Sequence, residues 1–318
     1  MSRKLWLSVA FACALIISAC SNASDTTTEE QPKEPAENET TNEQTNEQQT
    51  ATELVNNPPS LEDLDEKDPM TEYIKYGEKV INETNTVMDG YVGNQLSCAS
   101  CHADGGLSNV SSFVGVSTQF PQYRPREGVI FTLEDRINGC MIRSMNGEKI
   151  PYDSKEMRSM IAYLTYISKD IPEGADIPWR MLNKKKELPV PDVANGEELY
   201  KKSCIACHGE DGAGTGANSG PALWGENSFN DGAGMSRFMK MAAYVQRNMP
   251  VGQENSLSDQ QVSDLAAYIL QHERPVWGGH ETDWPKGGRP TDIMNKERRE
   301  QVRNGTFDWT EMDIIKAD

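Results

Sequence analysis

The pattern Cys-x-x-Cys-His occurs twice in this chain, at Cys98–His102 and at Cys204–His208. It is the attachment signal for a c-type haem, in which two thiols form thioethers and the histidine ligates the iron. The two copies use four of the seven cysteines and two of the four histidines. We therefore predict two covalently bound haem c groups, held by the motif residues Cys98, Cys101, His102, Cys204, Cys207 and His208.

Two other interpretations of the motif cysteines are a four-cysteine zinc site and a redox dithiol. Zinc ribbons place their two Cys-x-x-Cys elements roughly 15–20 residues apart, whereas these elements begin at residues 98 and 204. A thioredoxin-like dithiol would lie next to a βαβ pattern, and the sequence shows none. Haem attachment is the better interpretation.

The acidic side chains are concentrated before the first motif. The chain has 49 acidic and 31 basic residues, and residues 21–68 alone carry 14 acids against two lysines. Such a stretch has too few apolar residues to offset its ordering entropy, which predicts a disordered acidic tether over residues 20–68. The remainder is mildly acidic, so we expect no nucleic acid partner.

The N-terminus has the pattern of an export signal. Two basic residues precede the apolar run 5–17, which is shorter than the roughly 20 residues of a membrane-spanning helix. The run ends in Ile17-Ser18-Ala19-Cys20, which resembles the lipobox of bacterial lipoproteins. The resemblance implies a signal peptide over residues 1–19 and a lipid on Cys20, anchoring the chain outside the cytoplasm on the cell membrane. The alternative is ordinary secretion with an incidental cysteine.

The chain after residue 68 repeats one plan twice. Helical spacing predicts a helix over Met70–Thr86 before the first motif, and a capping signature at Ser154 predicts a later helix. The second copy begins a helix at Asn195-Gly196 and has a second capping signature at Ser258. Such self-similarity indicates an internal repeat.

A helix, a haem motif, loops and a closing helix resemble the class I cytochrome c fold. The predicted fold class is therefore all-α, with two tandem class I cytochrome c domains and long loops. The predicted boundaries are domain 1 over 69–183, a polar linker over 184–194, domain 2 over 195–275 and a C-terminal extension over 276–318. In this fold a proline carbonyl accepts a hydrogen bond from the proximal imidazole, which implies a bond from His208 to Pro221. The glycine-rich run 212–216 is then a haem-wrapping loop rather than a nucleotide site.

The two haems differ in their expected distal ligands. Asn248-Met249-Pro250 resembles the methionine-ligand loop of class I cytochromes, with Met235, Met239 and Met241 as competitors. At the corresponding place in domain 1 stands Cys140. Ligation by its thiolate would lower the reduction potential of the first haem, whereas thioether ligation by Met249 would raise that of the second haem. Cys140 as an inert buried thiol, or Met141 or Met145 as the ligand, remain alternatives.

Arginines surround Cys140 in sequence, at positions 124, 126, 136 and 143. The planar guanidinium binds oxyanions bidentately, so the cluster suggests a site for a small sulfur oxyanion. The alternative is surface arginines paired with Glu127, Glu134 and Asp135.

These features together resemble the dihaem cytochrome c thiosulfate dehydrogenases, roughly from Met70 to the C-terminus. The resemblance implies oxidation of two thiosulfates to tetrathionate, with Arg126, Arg136 and Ser144 contacting substrate beside Cys140. It also implies metal ligation by His102, Cys140, His208 and Met249. Some members exchange the methionine for a preceding lysine, but Asn248 stands there, so we expect fixed ligation.

The leading hypothesis is a thiosulfate dehydrogenase that passes electrons through the second haem to an external cytochrome or oxidase. The alternatives are a tetrathionate reductase that uses the same site and a non-enzymatic, membrane-tethered dihaem electron carrier. A dihaem peroxidase would need an open iron site, and no sequence feature points to one.

Overall fold

The computed structural model describes residues 51–177 and 185–316, and this part of the chain is mostly helical. Its helices are α1 (Pro69–Asn82), α2 (Thr84–Val87), α3 (Leu133–Met141), α4 (Lys155–Tyr166), α5 (Val193–Ser203), α6 (Ile205–His208), α7 (Phe238–Asn248), α8 (Asp259–Gln271) and α9 (Lys296–Arg303). In this part of the chain, no helix has the length and apolar character needed to span a bilayer. The predicted signal peptide and Cys20 lie outside the described residues.

Two small sheets add to the predicted all-α fold. Strands β1 (Gln122–Arg124) and β2 (Val129–Phe131) form an antiparallel hairpin, in which Tyr123 faces Ile130. Strands β3 (Leu188–Pro189) and β4 (Ile315–Lys316) pair in parallel. Two-residue strands carry little sequence signal, which explains why the pattern predicted loops here.

In each predicted domain, side chains cap the N-termini of the first and last helices. Asp68 accepts a hydrogen bond from the Met70 amide to begin α1, and Ser154 accepts one from Met157 to begin α4. In the second copy, Ser258 and Gln261 form a reciprocal capping box at the start of α8. The predicted capping signatures are confirmed. Asp192 caps α5, so this helix begins at Val193, inside the predicted linker.

The two copies share the same close helix crossing. A Cβ atom added to Gly77 of α1 would lie 2.0 Å from the Ser159 carbonyl oxygen of α4. In the second copy, a Cβ atom on Gly196 of α5 would lie 2.2 Å from the Asp264 carbonyl oxygen of α8. In both places the backbones touch because glycine has no side chain, which supports the internal repeat.

The predicted tether is too long at its C-terminal end. Residues 51–56 are helical, Val55 is 3% exposed within the apolar core, and Leu61 and Leu64 pack against that core. Tyr166 also donates a hydrogen bond to the Ser60 carbonyl at 2.6 Å. A few well-spaced apolar residues are enough to hold residues 51–68 on the first domain, although composition alone predicted disorder. Residues 20–50 of the predicted tether lie outside the described residues.

The C-terminal extension is attached to both domains. Arg299 of α9 is fully buried and donates to Asp231 at 3.0 Å, and Trp309 packs on Phe238 of α7. Towards the first domain, the Trp284 amide donates to the Arg126 carbonyl at 2.6 Å. The extension therefore holds the β1–β2 hairpin region and the second domain together.

Replacing Gly77 with alanine tests the close crossing of helices α1 and α4. Overpacking costs about 1–3 kcal/mol, and the gain in helix propensity from Gly to Ala offsets only about 0.5–1 kcal/mol. We expect a net loss of about 1–2 kcal/mol in the free energy of unfolding of the haem-loaded protein, measured by chemical denaturation. The exposed Lys79→Ala on the same helix is the control and should change stability by less than about 0.5 kcal/mol. A stabilised Gly77→Ala would contradict the close approach.

Candidate functional site

Both haem-motif histidines are fixed by a backbone carbonyl. His208 Nδ1 donates to the Pro221 carbonyl at 2.8 Å, as the family resemblance implied. His102 Nδ1 is bonded in the same way to the Ser111 carbonyl at 2.5 Å. Such a bond sets the ring orientation and the tautomer, and leaves Nε2 free to ligate iron.

The ionisation of the two rings suits ligation. Burial, opposed by the hydrogen bond to Ser111 and assisted by the Arg136 charge, lowers the pKa of His102 to about 4. Burial also lowers the pKa of His208, again opposed by its carbonyl bond. Both imidazoles are therefore neutral at pH 7 and present a lone pair on Nε2. Phe113 stacks on the His102 ring at 4.0 Å between centroids and fixes it further.

The four motif cysteines form no disulfide bonds, so their sulfurs are available for thioether bonds to haem. Among residues 51–177 and 185–316, no group of three or more His, Cys, Asp or Glu side chains is arranged to hold a metal ion. The zinc interpretation therefore lacks a ligand set in the described structure. Paired thiols, a carbonyl-bonded imidazole and flanking loops are the donor set that a covalent haem requires, and the residues fit two such groups.

The distal candidate in the first domain is placed by helix α3. Thr132 and Asp135 form a capping box that begins this helix, and Arg136 and Cys140 lie four residues apart on one of its faces. Arg136 Nη1 donates to Cys140 Sγ at 2.8 Å. Helix α3 therefore presents a cation and a thiol in direct contact with each other.

Cys140 lies close to the first haem motif. Its sulfur lies within electrostatic range of both motif cysteines, Cys98 and Cys101. The Arg136 guanidinium lies within electrostatic range of His102. The helix therefore brings Cys140 and Arg136 to the first haem site, where the sequence predicted them. Axial ligation by Cys140 stays a prediction.

The competing methionines of this segment are both buried, and their ligation is untested. Met141 is 1% exposed and Met145 is 3% exposed, and both belong to the apolar core. Ser144 follows Cys140 by one turn, and its amide donates to the Cys140 carbonyl at 2.8 Å. Ser144 therefore lies beside Cys140, and its role as a substrate contact stays a prediction.

Arg126 has partners on the C-terminal extension. Its guanidinium donates to Asp283 at 2.6 Å and lies over the Trp284 ring, and it also donates to the Gly232 carbonyl of the second domain at 2.7 Å. Arg143 pairs with Glu127 at 3.1 Å, as the alternative interpretation of the arginine cluster predicted. Two arginines of the cluster, Arg126 and Arg143, are therefore salt-bridged. Within the described residues, Arg124 and Arg136 form no ion pair.

The salt-bridged arginines line a cavity of about 340 Å³ between helix α3 and the extension. Gly139, Ile142 and Trp277 also line it, whereas Arg136 and Cys140 do not. The cavity therefore lies on a different face of α3 from Cys140. The structure does not bring Arg126 into direct contact with Cys140, and its predicted substrate contact is untested.

The second haem site has a methionine at the end of helix α7. Met249 follows the last residue of the helix in extended backbone and is partly buried against the core. The side-chain amide of Asn248 is buried and donates to the Tyr244 carbonyl at 2.9 Å. This bond engages the amide that stands in place of the lysine of some family members. Ligation by Met249 stays a prediction.

Sequence reasoning missed three residues of the first site. Ser111 was missed because it lies nine residues after His102, whereas Pro221 lies thirteen residues after His208. Phe113 gave no signal of its own. Lys240 of helix α7 lies within electrostatic range of Arg136 and Arg124, although it belongs to the other domain, and no periodic pattern encodes this proximity.

Two family models of cytochrome c domains match this chain. The family model for the SoxA/TsdA cytochrome c domain matches residues 90–172. The family model for cytochrome c oxidase, cbb3-type, subunit III matches residues 191–269. These ranges overlap the two predicted cytochrome c domains.

Several curated relatives of this chain are named thiosulfate dehydrogenase. The thiosulfate dehydrogenase of Psychrobacter arcticus is 36% identical over 225 residues, which are 69% of this chain and 69% of that protein. The thiosulfate dehydrogenase of Allochromatium vinosum is 40% identical over 215 residues, which are 65% of this chain and 80% of that protein.

A solved structure shares the fold. Thiosulfate dehydrogenase TsdBA from Marichromatium purpuratum, in its as-isolated form, matches with a TM-score of 0.63 and 31% identity. The match covers 69% of this chain and 49% of that chain, so this chain spans about half its length.

Replacing Arg126 with glutamine tests the ion pair with Asp283, whose side chains are only 15% and 7% exposed. Removing one partner of a largely buried pair leaves the other charge unpaired, which costs several kcal/mol. Trp277 Nε1 still donates to Asp283 at 3.1 Å, so we expect a loss of about 2–3 kcal/mol in the free energy of unfolding. The double variant Arg126→Gln/Asp283→Asn should recover part of it. An unchanged stability of Arg126→Gln would show that the pair does not hold the extension.

Proposed function

We propose that this chain, which belongs to the thiosulfate dehydrogenase family, couples two thiosulfate ions into tetrathionate at its first haem domain. One sulfur–sulfur bond forms between the terminal sulfurs of the two ions. The sulfur atoms release two electrons, and the two haems would accept one electron each. The two cytochrome c domains make the chain a dihaem protein with two covalently bound haem c groups.

The observation that carries this proposal is the hydrogen bond from Arg136 to the Cys140 sulfur, beside the first haem motif. An electron-transfer cytochrome has no need of an arginine donor on a distal cysteine. A sulfur-oxidising site needs both a nucleophilic sulfur and a cation for the oxyanion end of thiosulfate.

Each residue of the first site has its own role in this reaction. Arg136 donates a hydrogen bond to the Cys140 sulfur, and it also offers a cation to the incoming thiosulfate. Cys140 and His102 would hold the first haem, and the thiosulfate sulfur would bind beside Cys140. Ser144, one turn away, and Arg126 are the further predicted substrate contacts. When bound, the haem supplies a one-electron acceptor next to the reacting sulfur.

The second domain lies directly against the first haem motif, which suits electron transfer between the two haems. Ser100, inside the first motif, donates to the Ala217 carbonyl of the second domain at 2.6 Å. The Gln95 amide donates to the Asn227 carbonyl at 3.3 Å. His208 and Met249 would hold the second haem, which would pass electrons to an external cytochrome or oxidase.

A test of this function compares wild type with Cys140→Met. Wild-type protein should show thiosulfate-dependent haem reduction, and tetrathionate should reoxidise it because a catalyst serves both directions. Cys140→Met keeps an iron ligand but removes the reactive sulfur, so we expect thiosulfate oxidation to fall by at least about 100-fold, a usual loss for an essential catalytic group. The absorbance of both haems is the loading control. Full thiosulfate oxidation by Cys140→Met would contradict the role of Cys140, and a wild type whose haems thiosulfate does not reduce would favour the electron-carrier alternative.

We also propose that the chain is a lipoprotein anchored outside the cytoplasm through Cys20. The support is the basic and apolar N-terminal run that ends in Ile17-Ser18-Ala19-Cys20. Attachment of c-type haem also takes place outside the cytoplasm. Two acyl chains on one cysteine are enough for stable membrane binding.

Replacing Cys20 with alanine tests the anchor. Without the thiol no lipid is added, so the protein should move from the membrane fraction to the soluble extracytoplasmic fraction while keeping both haems. Mass spectrometry of the mature wild-type N-terminus should show a diacylglyceryl-cysteine. A Cys20→Ala protein that stays with the membrane would contradict the proposal.

A further inference from the structure

The turn that ends helix α3, over residues 142–146, is bonded to Cys140 itself. Three successive amides donate to the Cys140 carbonyl at 3.2, 2.8 and 3.0 Å, those of Arg143, Ser144 and Met145. The backbone of Cys140 and the turn therefore form one unit. Whatever fixes the turn also fixes the Cα atom that carries the Cys140 sulfur.

Two donors from the first domain hold the second half of this turn. The Asn94 side-chain amide donates to the Ser144 carbonyl at 2.9 Å, and the Gly93 amide donates to the Met145 carbonyl at 3.0 Å. Asn94 also donates to the Ser228 carbonyl of the second domain at 3.1 Å. The same side chain therefore joins the turn to the other domain.

Asn230 of the second domain holds the first half of the turn. Its side-chain amide donates to the Ile142 carbonyl at 3.0 Å and to the Asn146 side-chain oxygen at 3.1 Å. Its backbone amide donates to the Arg143 carbonyl at 3.2 Å. An asparagine side chain has two N–H donors, which matches the two acceptors. One residue of the second domain thus gives the turn three hydrogen bonds.

Asn230 is itself firmly placed. It is 2% exposed, its side-chain oxygen accepts from the Gly232 amide at 3.1 Å, and its carbonyl accepts from the Ser236 hydroxyl at 2.9 Å. All of its polar atoms thus have partners in the protein, so the contact is complete without any atom of the haem. A buried amide whose hydrogen bonds are all made holds its neighbours in one arrangement, because any other leaves a buried polar group unpaired.

We propose that Asn230 is a positioning residue that sets the place of Cys140 at the first haem. The second domain then has a part in the chemistry of the first, because the first site takes its working geometry only when the two domains are docked. This inference rests on the proposed function, which gives Cys140 its role. Asn230 bonds to the turn and not to the Cys140 sulfur, so it acts on the sulfur through the backbone.

The test replaces Asn230 with aspartate, which keeps the shape of the side chain but removes both N–H donors. An acceptor-only carboxylate then faces the Ile142 carbonyl and the Asn146 oxygen, and their repulsion should displace the turn. In the oxidised, haem-loaded protein we expect the thiolate EPR signature of the first haem to be lost or altered, whereas the signal and potential of the second haem stay unchanged.

The kinetic effect of Asn230→Asp should fall on kcat. A misplaced reacting group costs rate, so thiosulfate kcat should fall by at least about tenfold, and KM should change by less than about threefold because Asn230 does not contact substrate. If aspartate prevents haem loading, Asn230→Ala replaces it. Alanine removes the side-chain bonds without adding a charge, and the same changes are expected in the same direction.

Asn218→Asp is the matched control. Asn218 also belongs to the second domain, and its side-chain amide also donates to a carbonyl of the first domain, that of Asn82 at 2.8 Å. The same chemical change therefore removes a bond between the domains without touching the turn after Cys140. The EPR signature should stay that of wild type, and kcat should change by less than about twofold, as for an exposed substitution.

A second measurement needs neither activity nor iron ligation. It is the rate at which N-ethylmaleimide modifies Cys140 in the haem-loaded protein, followed by mass spectrometry of the peptide that contains this residue. A turn that is held less firmly opens more often, so we expect modification to be at least about fivefold faster in Asn230→Asp than in wild type. Asn218→Asp should react at the wild-type rate.

Two results would overturn the proposal. The first is an Asn230→Asp protein that matches Asn218→Asp in EPR signature, kcat and modification rate. The second is a lower thermal stability of Asn230→Asp with the wild-type signature and modification rate, because Asn230 would then only hold the domains together. If wild type fails to oxidise thiosulfate, the proposed function fails, and the modification rates of the two variants still decide whether Asn230 positions Cys140.

Discussion

The hydrogen bond between Arg136 and the Cys140 sulfur is the interaction on which the first site depends. Arg136 precedes Cys140 by one turn of helix α3, and its guanidinium donates to the cysteine sulfur. The same guanidinium lies within electrostatic range of His102. One arginine therefore lies close to both predicted ligands of the first haem.

The rest of the chain supports this arrangement with a duplicated scaffold. The Gly77 and Gly196 crossings bring the terminal helices of each domain together, and a carbonyl fixes the histidine in each copy. Where the copies differ, their chemistry differs. One has Cys140 and Arg136 on a helix at the distal side, and the other has Met249 after a helix and an amide engaged at Asn248.

The parts predicted from sequence were those with a local signal. Haem attachment follows from a five-residue motif, and the helix starts at Ser154 and Ser258 follow from capping residues. The bond from His208 to Pro221 followed from a family resemblance. The rest depends on contacts between distant residues. The Arg126–Asp283 pair joins residues far apart in the chain, and no spacing rule reveals Lys240 beside Arg124. The ordering of residues 51–68 depends on a few apolar contacts that average composition conceals.

The most direct test of the account is a potentiometric titration of the haem-loaded protein, followed by absorption and with EPR to identify each ferric haem. Thiolate ligation stabilises ferric iron and thioether ligation stabilises ferrous iron. The account predicts two separate transitions, with the lower potential at the haem that has the thiolate EPR signature and with this signature lost in Cys140→Met. Two haems that titrate together at a high potential, without a thiolate signature, would contradict it.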